Sequence, residues 1–197
     1  MRPTAVESGF EAAFWFLERA LNDGEALQPQ KLQRLLFLAQ AYFGVANAGA
    51  KLMPGVFVAA EDGPIEPTLF RAFSRGKPTL DLSPVEEPAR HVMDSVWRQF
   101  GPLSADKLTK LVKRHPPYID AFTNAPMTEI ALDAMVAFYG DQGLVRRKSA
   151  EPSPFENRPG AGGFDAPSID RVLRPKMAMN HDGKPVAVKT WMPKRVG

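Results

Sequence analysis

The chain has no cysteine among its 197 residues. That excludes disulfides, thiolate metal sites, Fe–S clusters and a cysteine nucleophile, and it fits a reducing compartment. Histidine is scarce too. His91, His115 and His181 are scattered, and none pairs with a second histidine or a carboxylate at metal-ligand spacing. Long apolar runs are missing. The five residues Leu35-Leu36-Phe37-Leu38-Ala39 fall far short of the roughly 20 needed to span a bilayer. Near the N-terminus Glu7, Glu11 and Glu18 interrupt the apolar residues, against the pattern of a signal peptide. The expectation is a soluble, cytoplasmic protein that does not act at a membrane.

The usual marks of catalysis are lacking as well. Gly160-Ala161-Gly162-Gly163 is glycine-rich, but no Gly-Lys-Ser/Thr follows it, so it reads as a flexible linker. There is no Gly-x-Ser-x-Gly elbow, and the serines fall at helix starts, where capping accounts for them. Glu61-Asp62 and Glu86-Glu87 sit in turn-like, polar surroundings and read as solvated pairs. The sequence therefore predicts no enzyme, no cofactor and no metal.

What is present is an ordinary globular composition, 44% apolar and 24% charged, with a net charge of +3. Residues 1–150 hold 17 basic and 17 acidic side chains, whereas residues 151–197 hold 8 basic and 5 acidic, so the excess lies at the C-terminal end. The same 47 residues carry 7 prolines and 5 glycines. This divides the chain into a helical domain over 1–148 and a basic, Pro/Gly-rich tail over 149–197, partly extended or disordered. Within the tail, 168–173 could form a turn or two of helix and 185–191 a short strand. Met177, Met179, Trp191 and Met192 could either fold back on the core or dock on another protein.

Within the domain, Ser8-Gly9-Phe10-Glu11 has the form of a capping box, and Phe10, Ala13, Phe14, Leu17 and Leu21 follow at helical spacing. Pro29 opens a second helix, with Leu32, Leu35, Leu36, Ala39, Phe43 and Ala46 as its stripe. Phe37, Leu38 and Tyr42 widen that stripe, so this helix should be central. Lys31, Gln33 and Arg34 lie mostly off it. Val56–Ala60 reads as a strand, Glu61-Asp62-Gly63-Pro64 as a turn, and Pro67–Phe73 as a short helix. A further helix is expected from Ser83-Pro84-Val85-Glu86 through Phe100. Another runs from Leu103-Ser104 until His115-Pro116-Pro117 stops it, and a last one is capped by Thr128. The fold class is mainly α: five or six helices, one small β element and the C-terminal extension.

Three blocks of this sequence carry a family resemblance. Lys31-Leu32-Gln33-Arg34-Leu35-Leu36-Phe37-Leu38-Ala39-Gln40 resembles the opening helix motif of the SocA-like antitoxin family, or Panacea domain. Glu61-Asp62-Gly63-Pro64-Ile65-Glu66-Pro67-Thr68-Leu69-Phe70-Arg71-Ala72-Phe73 is similar to its Gly-Pro-Val-x-Pro-x-Leu-Tyr-x-x-Phe segment. Leu108 to His115, with Pro117-Tyr118-Ile119-Asp120-Ala121, is similar to its His…Pro-Trp-x-x-Ala block. Tyr118 stands where the family usually has Trp, and Ala59-Ala60 where a Trp usually precedes the turn. The blocks fall in order over about 8–140. The resemblance implies an antitoxin that neutralises a cognate protein toxin by direct binding, in some members also delivering it to the ClpXP protease, with relatives in phage-related contexts.

On that reading Gly63, Pro64, His115, Pro117 and Tyr118 are the candidate partner-binding residues. Each has a structural alternative: Gly63-Pro64 as a turn, and His115-Pro116-Pro117-Tyr118 as a helix stop with a packed ring. A second reading is a nucleic-acid-binding transcriptional regulator using the helices around 84–114, with Lys107, Lys110, Lys113 and Arg114 as phosphate contacts. The alternative for those four is a solvated helix face.

Overall fold

The computed structural model describes residues 3–148, 167, 169–173, 178–179 and 185–186. Helix α1 (Gly9–Asn22) begins where Ser8 Oγ accepts from the Phe10 amide at 3.1 Å. Glu11 completes a variant of the expected box by accepting from the Glu7 amide at 3.2 Å, one residue before the cap. Helix α2 (Pro29–Ala46) has proline in its first turn, as the sequence predicts. Strands β1 (Phe57–Ala60) and β2 (Gly63–Ile65) form a tight antiparallel hairpin, pairing Val58 with Ile65 and Ala60 with Gly63. Helix α3 (Pro67–Phe73) follows, capped by the Glu66 carboxylate on the Leu69 amide at 2.6 Å.

Helices α4 (Ala89–Phe100), α5 (Ala105–Val112), α6 (Pro116–Asn124) and α7 (Leu132–Lys148) complete the domain, with strand β3 (Glu129–Ile130) between the last two. The small sheet has the order β2-β1-β3, and β3 pairs antiparallel with β1 through Phe57–Ile130 and Val58–Glu129. Beyond it lie α8 (Ile169–Leu173) and the short antiparallel pair β4 (Ala178–Met179) and β5 (Pro185–Val186). The protein is mainly α, as its sequence predicts, and no helix among the described residues is long and apolar enough to cross a membrane.

Three local expectations are corrected. Ser83-Pro84-Val85-Glu86 does not start a helix; α4 begins six residues later, at Ala89. His115-Pro116-Pro117 ends α5, but it also starts α6, because proline suits the first turn as well as it blocks the turn before. Thr128 caps nothing. Its hydroxyl donates to Ala125 O at 2.7 Å and its carbonyl accepts from Ala59, which draws the next residues into the sheet. The count of five or six helices accordingly becomes seven in the domain, with α8 as an eighth.

The core is organised around α2. Every residue from Lys31 to Gly44 is buried, and the helix contacts α1, α3, α4, α5, α7, α8 and β2. Gly44 lets α7 approach: a Cβ there would lie 2.8 Å from Val136 Cγ2. Leu35, Leu36 and Phe37 are fully buried, so each contributes about 1.5–3 kcal/mol by leaving water. Described residues beyond 148 are joined to this core. Tyr42 donates to Pro167 O at 2.6 Å, and Val172 is buried among α8's contacts with α4 and α7. Of the tail's other expectations, 168–173 is met by α8 and 185–191 in part by β5. Gly160–Gly163, Met177, His181, Trp191 and Met192 lie outside the described residues.

Candidate functional site

The polar residues of α2 point to the site. They lie off the apolar stripe yet are buried, which means each must find partners. Gln33 Oε1 accepts from the Glu66 amide at 2.8 Å, and Gln40 Oε1 accepts from the amides of Leu52 and Met53, each at 3.1 Å. Lys31 donates to Gly101 O at 2.6 Å and pairs with Glu25. Each side chain satisfies backbone that its own loop leaves unbonded, so α2 fixes several connections at once.

Arg34 is the centre of this set. Its guanidinium donates to Pro64 O at 2.6 Å, to Thr109 Oγ1 at 3.1 Å and to Asp62 O. The residue is 1% exposed, and among the described residues no carboxylate forms an ion pair with it. Burial lowers its pKa to about 10, partly offset by the nearby Asp62 charge. Gly63 is what admits it. With φ +117° the glycine takes a conformation that suits no side chain, and a Cβ there would lie 2.8 Å from the guanidinium carbon. The three sequence blocks thus meet at one point: Arg34 from the first, Asp62 to Pro64 on the edge of the second, Thr109 from the third.

All five sequence-derived residues are buried, and Gly63, Pro64 and Tyr118 gather around this hub. Gly63 and Pro64 form β2. Tyr118, 2% exposed, donates to Ala60 O at 2.7 Å and ties α6 to the hairpin. Its phenol pKa is raised, chiefly by burial. Pro117 is buried in the first turn of α6. His115, 3% exposed, lies 2.9 Å through Nδ1 from the Tyr139 hydroxyl, away from the hairpin turn. Tyr139 is fully buried, which pushes its pKa well up. As placed here, these five shape the platform and do not present a contact surface. The basic set is split. Lys107, Lys110 and Arg114 are exposed on and just after α5, while Lys113 donates to Glu61 O at 2.7 Å and lies 5.9 Å from the centre of the Tyr118 ring.

The accessible surface beside the platform was not legible in the sequence. A groove of about 550 Å³ lies between the hairpin turn and α3, with Gln30, Gln33 and Arg34 contributing from α2. Phe70 and Met127 line it and are 44% and 52% exposed. Met127 is held in place by its amide's bond to Ala59 O at 2.8 Å and has φ +64°. Glu61 and Asp62 stand on the hairpin side and Arg71 on the α3 side, all exposed. None of the three forms an ion pair among the described residues. A second depression of about 410 Å³ flanks α3 on residues that include Arg71 and Arg75. The sequence carried no signal for it: Phe70 reads as one of the apolar residues of a short helix with Leu69 and Phe73, and only the structure leaves it exposed.

Among the described residues no three His, Asp or Glu side chains lie close enough to hold a metal ion. No protein-family model, curated protein or solved structure matches the chain.

Proposed function

We propose that the chain is an antitoxin-like protein-binding module of the SocA-like (Panacea) type, which neutralises a cognate toxin by direct binding. The observation that carries the reading is the junction at Arg34. Three sequence blocks that resemble the family's motifs, 28 to 75 residues apart along the chain, are bonded to one another by a single buried side chain. The groove beside that junction supplies a surface of the right kind. It offers two exposed apolar side chains and charges of both signs that form no ion pair among the described residues, on a rigid platform. Neutralisation is then occlusion. A contact of about 800 Å² per partner would cover a toxin's working surface, and a rigid platform limits the ordering cost of forming it. Delivery of the captured toxin to the ClpXP protease is a further proposed step, which would need a protease-recognised segment in addition to this surface.

The test is co-expression with the small protein encoded beside it. Growth arrest by that protein alone, relieved by this chain and not by its Phe70→Ser/Met127→Ser variant, is the expected outcome. Growth arrest relieved equally by both would move the interface elsewhere. No neighbouring protein whose toxicity is relieved would remove the antitoxin reading.

The exposed Lys107 and Lys110, which form no ion pair among the described residues, favour a second reading as a nucleic-acid-binding regulator. It predicts binding to duplex DNA that falls steeply with salt, with a slope set by the phosphate contacts. Toxin binding through an apolar centre predicts a shallow dependence.

A further inference from the structure

α3 forms one wall of the groove, and the hairpin turn stands across from it. α3 is a ridge between the groove of about 550 Å³ and the depression of about 410 Å³. Phe70 protrudes from the ridge, 44% exposed. Arg71 on it and Arg75 just beyond its end are exposed and make no ion pair among the described residues. Across the groove, the hairpin turn presents Glu61 and Asp62, exposed and equally without an ion pair. One face therefore carries Phe70 and the cations of the α3 side along one wall of the groove, and Met127 and the anions of the hairpin turn along the other. A two-fold axis through such a face sets ridge into groove twice and arginine against carboxylate twice, which is the self-complementarity an isologous contact needs.

We propose that a second copy of this chain occupies the groove, forming a two-fold dimer in which each α3 lies in the partner's groove. Phe70 of each copy then fills the apolar part of the opposite groove beside Met127, and Arg71 and Arg75 meet the opposite Glu61 and Asp62. Net charge on the face is balanced, so it does not favour a strongly acidic or strongly basic partner over a copy of itself. Few apolar side chains are involved, so the dimer belongs with small, reversible interfaces. It also covers the surface assigned above to the toxin. Self-association and toxin capture then compete, and free antitoxin is held with its binding face masked.

Sedimentation velocity of the full chain, from about 1 µM to about 500 µM, spans the range in which a small reversible interface assembles. A monomer-to-dimer transition is expected. Reversing the arginine side (Arg71→Glu/Arg75→Glu) or the acidic side (Glu61→Arg/Asp62→Arg) should each weaken the dimer at least about tenfold, since like charges then face each other twice. Mixing the two variants should restore a heterodimer at least as tight as the wild type, because every facing pair is then opposite in sign. Circular dichroism and a thermal scan on each variant check that both are folded. A Phe70→Ser variant should be monomeric throughout the range. A chain that stays monomeric at every concentration overturns the proposal, as does a dimer indifferent to both reversals or one that mixing fails to restore. The sedimentation result does not depend on any toxin, so its failure leaves the antitoxin reading to be judged by growth rescue alone.

Discussion

Arg34 and Arg71 line the same groove, yet Arg34 is 1% exposed and bonded through all three guanidinium nitrogens, while Arg71 is exposed with no ion pair among the described residues. The two mark two regions of the molecule. On the inner side of the hairpin, side chains of α2 and α6 bond backbone carbonyls and amides, and that region is finished internally. On the outer side, charges and two apolar side chains are left over. A protein that fixes a platform this firmly from beneath can present its upper face without reorganising it on contact, and the leftover groups are the ones available to a partner. The lesson is that position relative to the core, not residue type, separates the structural arginine from the available one.

The largest effect that should expose this contrast comes from the inner region. Arg34→Met removes the donor to Asp62 O, Pro64 O and Thr109 and leaves two carbonyls short of partners. The expected loss is about 3–5 kcal/mol in urea unfolding, from several unsatisfied buried groups. A loss below about 1 kcal/mol would mean that water replaces the guanidinium, and the inner region would then be less finished than its geometry indicates.

Gly63→Ala comes next. It asks an L-residue to hold φ +117° and places a methyl 2.8 Å from the same guanidinium. About 2–3 kcal/mol of destabilisation is expected, from backbone strain plus displaced hydrogen bonds. Because both substitutions strike one junction, the Arg34→Met/Gly63→Ala double variant should lose less than the sum of the two. A strictly additive pair would show that glycine is required by the turn alone and not by the arginine beneath it.

How far these regions could be read from sequence follows from the reach of each bond. The Ser8 cap, Pro29 at the start of α2 and the Pro67–Phe73 helix were legible, because their hydrogen bonds close within a few residues. The central place of α2 was legible from its wide apolar stripe. The burial of Lys31, Gln33 and Arg34 was not, because each has partners that lie 28 to 75 residues away and helical periodicity carries no information about them. Thr128 failed for the same reason: its local signal suggests a cap, and only the distant β1 edge, from whose Ala59 amide its carbonyl accepts, leads the chain into strand β3. The resemblance blocks named Gly63, Pro64, His115, Pro117 and Tyr118, residues of the platform. Phe70 and Met127, on the exposed side, carried no comparable pattern.

Alkaline pH offers a third separation. Burial raises the pKa of Tyr139 and of Tyr118 above the ordinary value near 10. In the unfolded chain both phenols ionise near pH 10, whereas in the folded protein they hold their protons. The folded state then binds more protons than the unfolded one, and stability falls as pH rises beyond about 10. The contribution is fully present below that pH. Arg34 acts in the opposite sense, since its lowered pKa of about 10 favours the folded state as pH rises through the interval towards 12.5. Tyr139→Phe removes the larger of the two tyrosine effects. It should lose about 1 kcal/mol at neutral pH, from the bond to His115, while flattening the decline above pH 10. Unfolding followed at pH 7 and again above pH 10 checks this. An unchanged alkaline slope would mean that Tyr118, at the hairpin, governs the decline.

The smallest effect is expected on the outer side, and it gives the comparison its sharpest form. Arg71→Ala takes away the same charge as Arg34→Met, from the other side of the same groove. It breaks no hydrogen bond of the guanidinium and no ion pair among the described residues, so its stability should stay within about 0.5 kcal/mol of wild type. Phe70→Ser should behave likewise or gain slightly, because an apolar ring nearly half exposed contributes little burial. Urea midpoints measured side by side with Arg34→Met decide it. If Arg71→Ala cost as much as the buried arginine, the exposed charges would be part of the scaffold, and the groove would lose its claim to be a surface kept free for association. If the outer variants leave stability untouched but abolish self-association or toxin rescue, the two sides of the hairpin divide the work between holding the fold and meeting a partner.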